Sequence, residues 1–158
     1  MIIIKKDNNE KLKNQIDSKL CAFNREHCEW LNKKAKANND EYSEKEQNFI
    51  AYEDNKVIGG AIGFVKYSWY FLDLLCVDEK YRGQYIGTKL LKQIEEFAKK
   101  ENLTGIRMET WDFQARGFYE KNGYKVFAEI KDCPPNTICY FLKKEVKKWT
   151  STGIQGTC

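Results

Sequence analysis

Between residues 72 and 91 the apolar pattern of this chain changes period, and that change constrains the fold more than any other feature. Leu72-Asp73-Leu74-Leu75-Cys76-Val77 reads as a strand, and Lys80-Tyr81-Arg82-Gly83-Gln84-Tyr85 is a short polar loop. From Ile86 onward the apolar residues Ile86, Leu90, Leu91, Ile94, Phe97 and Ala98 form a helical stripe, with Lys89, Lys92, Glu95, Glu96, Lys99 and Lys100 facing water. Residues 103–110 then read as another strand, so the segment is a strand, helix, strand crossover. Glycines at the mouth of a helix let backbone N–H groups turn toward one point, and the helix dipole adds partial positive charge there. Lys80, Arg82, Lys89 and Lys92 fall between positions 80 and 92 with no acidic residue among them. This is an anion site in the making, although an ordinary loop ahead of a solvated basic helix has the same pattern.

The remaining elements surround this crossover. Ile2, Ile3 and Ile4 read as a first strand, and Asp7, Asn8 and Asn9 supply turn and N-cap chemistry. Leu12, Ile16, Leu20, Phe23, Trp30 and Leu31 follow a helical period on a core. His27 falls on that stripe and reads as a buried-edge histidine with a hydrogen-bond partner rather than a base. Residues 33–48 are polar, a loop or a second helix. Residues 48–52 and 57–67 form a hairpin around Glu53-Asp54-Asn55-Lys56, residues 69–77 add a neighbouring antiparallel strand, and a short helix over 113–121 stops at Asn122-Gly123. Strands at 124–130 and 137–146 follow, and residues 149–158 form a frayed tail. The fold class is α/β (α+β), a central mixed, mostly antiparallel sheet of about six or seven strands flanked by helices.

With 158 residues the chain has the length of one domain, taken here as 1–148, and 14% aromatic residues argue against disorder. Lys+Arg number 27 against 23 Asp+Glu, a net charge of +4 with interspersed signs, so no nucleic-acid partner is expected. No apolar run has the length of a signal peptide core or a membrane span, which points to the cytoplasm. The six cysteines contain no CxxC pair and there is one His, so free thiols and no metal site are expected. Asp40, Glu41, Glu44, Glu46, Glu53 and Asp54 give the middle of the chain an acidic bias, ordinarily a solvated surface.

The segment at 72–91 resembles the coenzyme A loop of the GNAT superfamily of N-acetyltransferases, whose pattern is Gln or Arg, two residues, Gly, one residue, then Gly or Ala. Arg82, Gly87, the strand ending in Val77 and the pair Leu90-Leu91 match. Tyr85 stands where the family usually has its first glycine, so either Gly83 supplies the flexibility or the loop is strained at Tyr85. A second stretch, Ala115-Arg116-Gly117-Phe118-Tyr119-Glu120-Lys121-Asn122-Gly123-Tyr124, is similar to the family's downstream signature, and Asp112 stands where many members have Asn. The resemblance spans about residues 57–146. Residues 1–56 fit loosely, in a part that usually shapes the acceptor pocket.

The resemblance implies direct transfer of acetyl from acetyl-CoA to an amine. It implies that Arg82 and the backbone of Gly83, Gln84, Tyr85, Ile86, Gly87 and Thr88 hold the pyrophosphate, that Leu75, Cys76 and Val77 lie beside pantetheine, and that Asp112 belongs to the same cofactor set. A main-chain N–H near Leu75 would polarise the thioester carbonyl. Tyr119 matches the general acid that protonates the departing thiolate; read from the residues alone it is a core aromatic on a short helix. With a thiol near pKa 8.5, protonating the leaving group is worth roughly 2 kcal/mol, whereas deprotonating an amine near 10.4 costs about 4 to 5 kcal/mol.

Asp73 is the first candidate base, since alternation puts it on the face of Val77 and its apolar run would desolvate it. Its other reading is a pairing Asp, and Glu109 or a water chain is the fallback. Cys76 packs in the strand and is no nucleophile, because no base lies near it in sequence. The implied acceptor is a small-molecule primary amine. The alternatives are a protein amino terminus or lysine, or a non-catalytic CoA-binding sensor. Dimers are common in the family, so a homodimer is a possible assembly, and the sequence leaves the oligomeric state open.

Overall fold

The structure, a computed structural model, describes residues 2–37 and 44–146. The chain divides into two compact units, Met1–Ser43 and Glu44–Cys158. The expected tail at 149–158, together with Asp40 and Glu41 of the acidic stretch, lies outside the described residues.

In the first unit α1 spans Glu10–His27, and the side chain of its N-cap residue, Asn9, accepts the Lys11 N–H at 2.9 Å. α2 spans Glu29–Ala37 and packs with α1. The expected strand at Ile2, Ile3 and Ile4 does not form: these side chains are 92%, 77% and 95% exposed, and the segment makes no ladder among the described residues. A β-branched run becomes a strand only where a sheet edge offers partners. Leu12, Ile16, Leu20 and Phe23 share one stripe as expected, but all four side chains are exposed. His27 has its partner without the burial. Its Nδ1 lies 2.8 Å from the Phe23 carbonyl and its ring stacks on Phe23 at 4.0 Å, yet the side chain is exposed.

The second unit is a seven-stranded sheet. Its strands are β1 (Lys45–Glu46), β2 (Phe49–Glu53), β3 (Lys56–Lys66), β4 (Trp69–Val77), β5 (Gly105–Trp111), β6 (Lys125–Lys131) and β7 (Ile138–Glu145). The order is β1-β3-β4-β5-β7-β6, with β2 also pairing with β3. All pairings are antiparallel except β4 with β5, the two strands joined by the crossover helix α3 (Ile86–Lys100). Short connections at 54–55 and 67–68 permit only antiparallel neighbours, whereas a 15-residue helix gives the chain room to return parallel. α3 buries Leu90, Leu91, Ile94 and Ala98 against Tyr70 and Leu72 of β4, Ile106 and Met108 of β5, and Leu142 of β7. The downstream helix α4 is shorter than the sequence predicts, Arg116–Lys121, because residues 112–115 are used in turns. It closes at Asn122, and Gly123 adopts φ +86° as its place after the helix requires.

Candidate functional site

β4 and β5 pair over only part of their length. The parallel register runs from Trp69↔Gly105 to Leu72↔Met108 and stops, although β4 continues to Val77 and β5 to Trp111. Beyond Leu72 and Met108 the two strands form a fork whose facing edges have no ladder partner among the described residues. An unpaired edge of this kind accepts an extended, amide-bearing chain as an added strand. Nothing in either strand's composition announces the fork.

The fork begins at a bulge. The β3 and β4 register passes from Ile62↔Leu74 to Gly63↔Leu72, leaving Asp73 as the extra residue. The bulge reverses the alternation of β4. Ahead of it Tyr70 and Leu72 are in the core; beyond it Leu75 and Val77 pack on that same core. Asp73 therefore does not share the face of Val77, and it is exposed rather than desolvated, which corrects both expectations drawn from the sequence. Glu109 occupies the matching place on the other arm, one residue past Met108, and is also exposed; its Oε2 lies 4.0 Å from the Cys139 thiol. Burial, then the Glu109 carboxylate, pushes that thiol's pKa up. Cys76 lies in the strand but is exposed, because Leu75 and Val77 take the core-facing positions on either side of it.

At the open end of β4 the chain makes a 3-10 turn, Glu79–Tyr81, tied to the hairpin by the Tyr81 hydroxyl donating to Glu53. Arg82 folds back, its Nε donating to the Val77 carbonyl at 3.2 Å, so the guanidinium is held at the end of the fork. The sequence left open whether Gly83 or Tyr85 would take the left-handed conformation, and both do, with φ +78° and +60°. Tyr85 is the N-cap residue of α3 and its side chain makes no cap hydrogen bond. The first turn of α3 also holds no acidic residue, so this described helix start presents its dipole and leading N–H groups without a protein anion to satisfy them. Among the residues considered for a cofactor, Gln84, Ile86, Gly87 and Thr88 gather at this start with Lys80, Arg82 and Lys89 around it.

Gly87 matters for space. A Cβ there would stand 3.0 Å from the end of the Phe118 ring on α4, so its absence lets the start of α3 approach α4, while Leu75 of β4 lies at ordinary contact distance, 3.8 Å. No local sequence pattern joins these residues, and a role for Phe118 cannot be read before the fold is known. On α4, Tyr119 is 8% exposed, with its ring 5.2 Å from Phe118 and 6.2 Å from Tyr124. Burial raises the pKa of its hydroxyl above that of an ordinary tyrosine. The loop between β5 and α4 is fixed internally: buried Thr110 donates its hydroxyl to Gln114 at 3.0 Å, and the Asp112 carboxylate accepts the Phe113 N–H at 3.0 Å. One oxygen of the exposed Asp112 carboxylate thereby helps to form the turn at the end of β5.

The strain at Tyr85 has a measurable consequence. A side chain in the left-handed region costs about 1–2 kcal/mol, while glycine gives back about 0.5–1 kcal/mol through unfolded-state entropy. Tyr85→Gly is therefore expected to stabilise the protein by about 0.5–1 kcal/mol, read as a higher denaturation midpoint. A lower midpoint would place the helix start elsewhere.

No group of three or more His, Cys, Asp or Glu side chains among the described residues could hold a metal ion, and no described helix is long and apolar enough to cross a membrane. The acetyltransferase (GNAT) family model matches residues 15–124. A blasticidin-S acetyltransferase from Streptomyces morookaense is 41% identical over 95 residues, covering 60% of this chain and 70% of the relative. The crystal structure of an acetyltransferase from Bacillus cereus superposes with a TM-score of 0.75 at 24% identity, covering 90% of this chain and 97% of that one. An acetyltransferase from Bacillus anthracis, solved in complex with acetyl coenzyme A, superposes with a TM-score of 0.60 at 23% identity, covering 65% of this chain and 64% of the other.

Proposed function

Because the chain belongs to the acetyltransferase (GNAT) family, we propose that it moves acetyl directly from acetyl-CoA to a primary amine of a small molecule, with residues 1–148 acting as one catalytic domain. The observation that carries this reading is the uncapped, acid-free start of α3 at the open end of the fork between β4 and β5. A polyanion needs the first, and an extended amide-bearing arm needs the second. The small-molecule acceptor is supported by the relative named for blasticidin-S. A reducing cytoplasm suits the free thiols of its five described cysteines.

In this reading Arg82 and the backbone of residues 83–88 hold the pyrophosphate, and Lys80 and Lys89 add to the field. Leu75, Cys76 and Val77 offer the free edge of β4 to pantetheine, and Leu75 supplies apolar cover from the core side. Asp112 acts through the turn it closes, by setting the path of the loop at the end of β5. The amine meets the carbonyl where the fork closes, beside Asp73 and Glu109, which attract its ammonium form and accept its proton directly or through water. Tyr119 donates a hydrogen bond to the sulfur as the thiolate departs.

Hydrated carboxylates are poor bases for an alkyl ammonium, so kcat/KM is expected to climb with pH toward the pKa of the amine itself. Asp73→Asn is expected to lower kcat/KM about tenfold at neutral pH without changing the KM for acetyl-CoA, roughly the effect of losing one charged hydrogen-bond partner. The check is a pH profile of Asp73→Asn beside Glu109→Gln. Loss confined to Glu109→Gln would transfer the role to Glu109, and two unchanged profiles would remove both carboxylates from the mechanism.

A further inference from the structure

α4 is six residues long, too short to hold its own shape, and Tyr119 sits on it. Three described contacts pin this helix: the Arg116 guanidinium stands 4.3 Å from the centre of the Tyr140 ring of β7, and two others lie nearer the middle and the end of the helix. At the first of these two, Phe118 lies against the start of α3 at Gly87. At the second, Lys144 of β7 donates from Nζ to the carbonyl of Asn122, the C-cap residue of α4, at 2.8 Å. The same Nζ is 2.8 Å from a carboxylate oxygen of Glu95 on α3, with the two side chains only 28% and 14% exposed. It also stands 5.4 Å from the centre of the Tyr124 ring. Burial, reinforced by the Glu95 carboxylate, pushes the Tyr124 hydroxyl's pKa well up, so Tyr124 adds no charge to this cluster at neutral pH.

Hydrogen bonds connect the second pin to Tyr119 itself. Asn122 N–H donates to the Tyr119 carbonyl at 3.0 Å, and Tyr124 N–H donates to that same carbonyl at 3.1 Å. A cation at a helix C-terminus also favours the dipole there. Glu95 follows Gly87 by eight residues on α3, about 12 Å along the axis, so a single rigid helix supplies both anchor points and Tyr119 lies between them.

The geometry points to Lys144, held by Glu95, as the positioning residue that fixes the Tyr119 hydroxyl at the fork. This inference rests on the reading of Tyr119 as hydrogen-bond donor to the leaving sulfur. Lys144→Met keeps the apolar stem and removes the ammonium. It is expected to lower kcat about three- to thirtyfold, up to the loss caused by removing the Tyr119 hydroxyl itself, with the KM for acetyl-CoA changed by less than about twofold. Lys144→Arg is expected to restore most of kcat, and in a Tyr119→Phe background Lys144→Met is expected to cost nothing further. If Lys144→Met alone fails to fold because Glu95 is left covered and unpaired, the pair Glu95→Gln/Lys144→Met carries the same expectation.

An unchanged kcat in the folded variant overturns the inference, as does a parallel change in kcat and KM, failure of Arg to rescue, or an equal loss in the Tyr119→Phe background. The two readings fail differently. If Tyr119→Phe keeps full kcat, the donor role and this inference fall together. If Tyr119→Phe is impaired and Lys144→Met is not, only the positioning role falls.

Discussion

Tyr119→Phe is expected to lower kcat about thirtyfold and to leave the KM for acetyl-CoA unchanged, the largest catalytic effect of any single substitution in this site. The magnitude follows from the leaving group. A thiolate of pKa near 8.5 is not a poor leaving group at neutral pH, and stabilising it is worth about 2 kcal/mol. The buried position of Tyr119 raises its hydroxyl pKa, so the proton stays on the phenol through the neutral and mildly alkaline range. Full transfer to the sulfur is then uphill, and the hydroxyl acts as a hydrogen-bond donor to developing charge. Accordingly the pH profile should show no limb from Tyr119 below about pH 10. Steady-state kinetics of Tyr119→Phe, with KM for both substrates, is the check; an unchanged kcat would reject the donor role.

Arg82→Ala should act on the other parameter. A guanidinium paired with a phosphate oxygen contributes about 1.5–3 kcal/mol, so the variant is expected to bind CoA about ten- to a hundredfold more weakly with kcat at saturation nearly intact. The Nε bond to the Val77 carbonyl keeps Arg82 close to the fork and limits the entropy it loses on binding. The loss should shrink as salt is raised, because the term is electrostatic. Isothermal titration with CoA measures it directly, and an affinity equal to that of the parent protein would move the phosphate site away from this loop.

The crossover was legible in the sequence because a helix and a strand carry different periods. Ile86, Leu90, Leu91 and Ile94 fix the buried face of α3 without any knowledge of its partners, and three of these four are fully in the core. Asn122-Gly123 likewise marked the end of α4 through backbone chemistry alone. Other features were not legible, because they depend on what a segment meets. The run Ile2 to Ile4 has strand chemistry, and the first unit holds no other described strand for it to pair with. Asp73 sits in an apolar run yet is exposed, because a bulge that depends on pairing with β3 reverses the alternation. Fork, bulge and the Lys144 pin are all relations between strands and helices distant in sequence, and a local pattern carries no trace of them. Tyr85 lies between these cases: its strain could be foreseen from a missing glycine, while the conformation that settles it needed the backbone.

The most direct test of the central claim is transfer itself. Isotopically labelled acetyl-CoA is incubated with the protein and a panel of small primary amines, a lysine peptide and a free peptide amino terminus, and both free thiol and acetylated product are followed by mass spectrometry. Thiol release and labelled small-molecule amide are expected to rise together, in equal amounts, with neither peptide labelled at a comparable rate. Thiol release at the background hydrolysis rate with every amine, and no labelled product, would contradict the central claim.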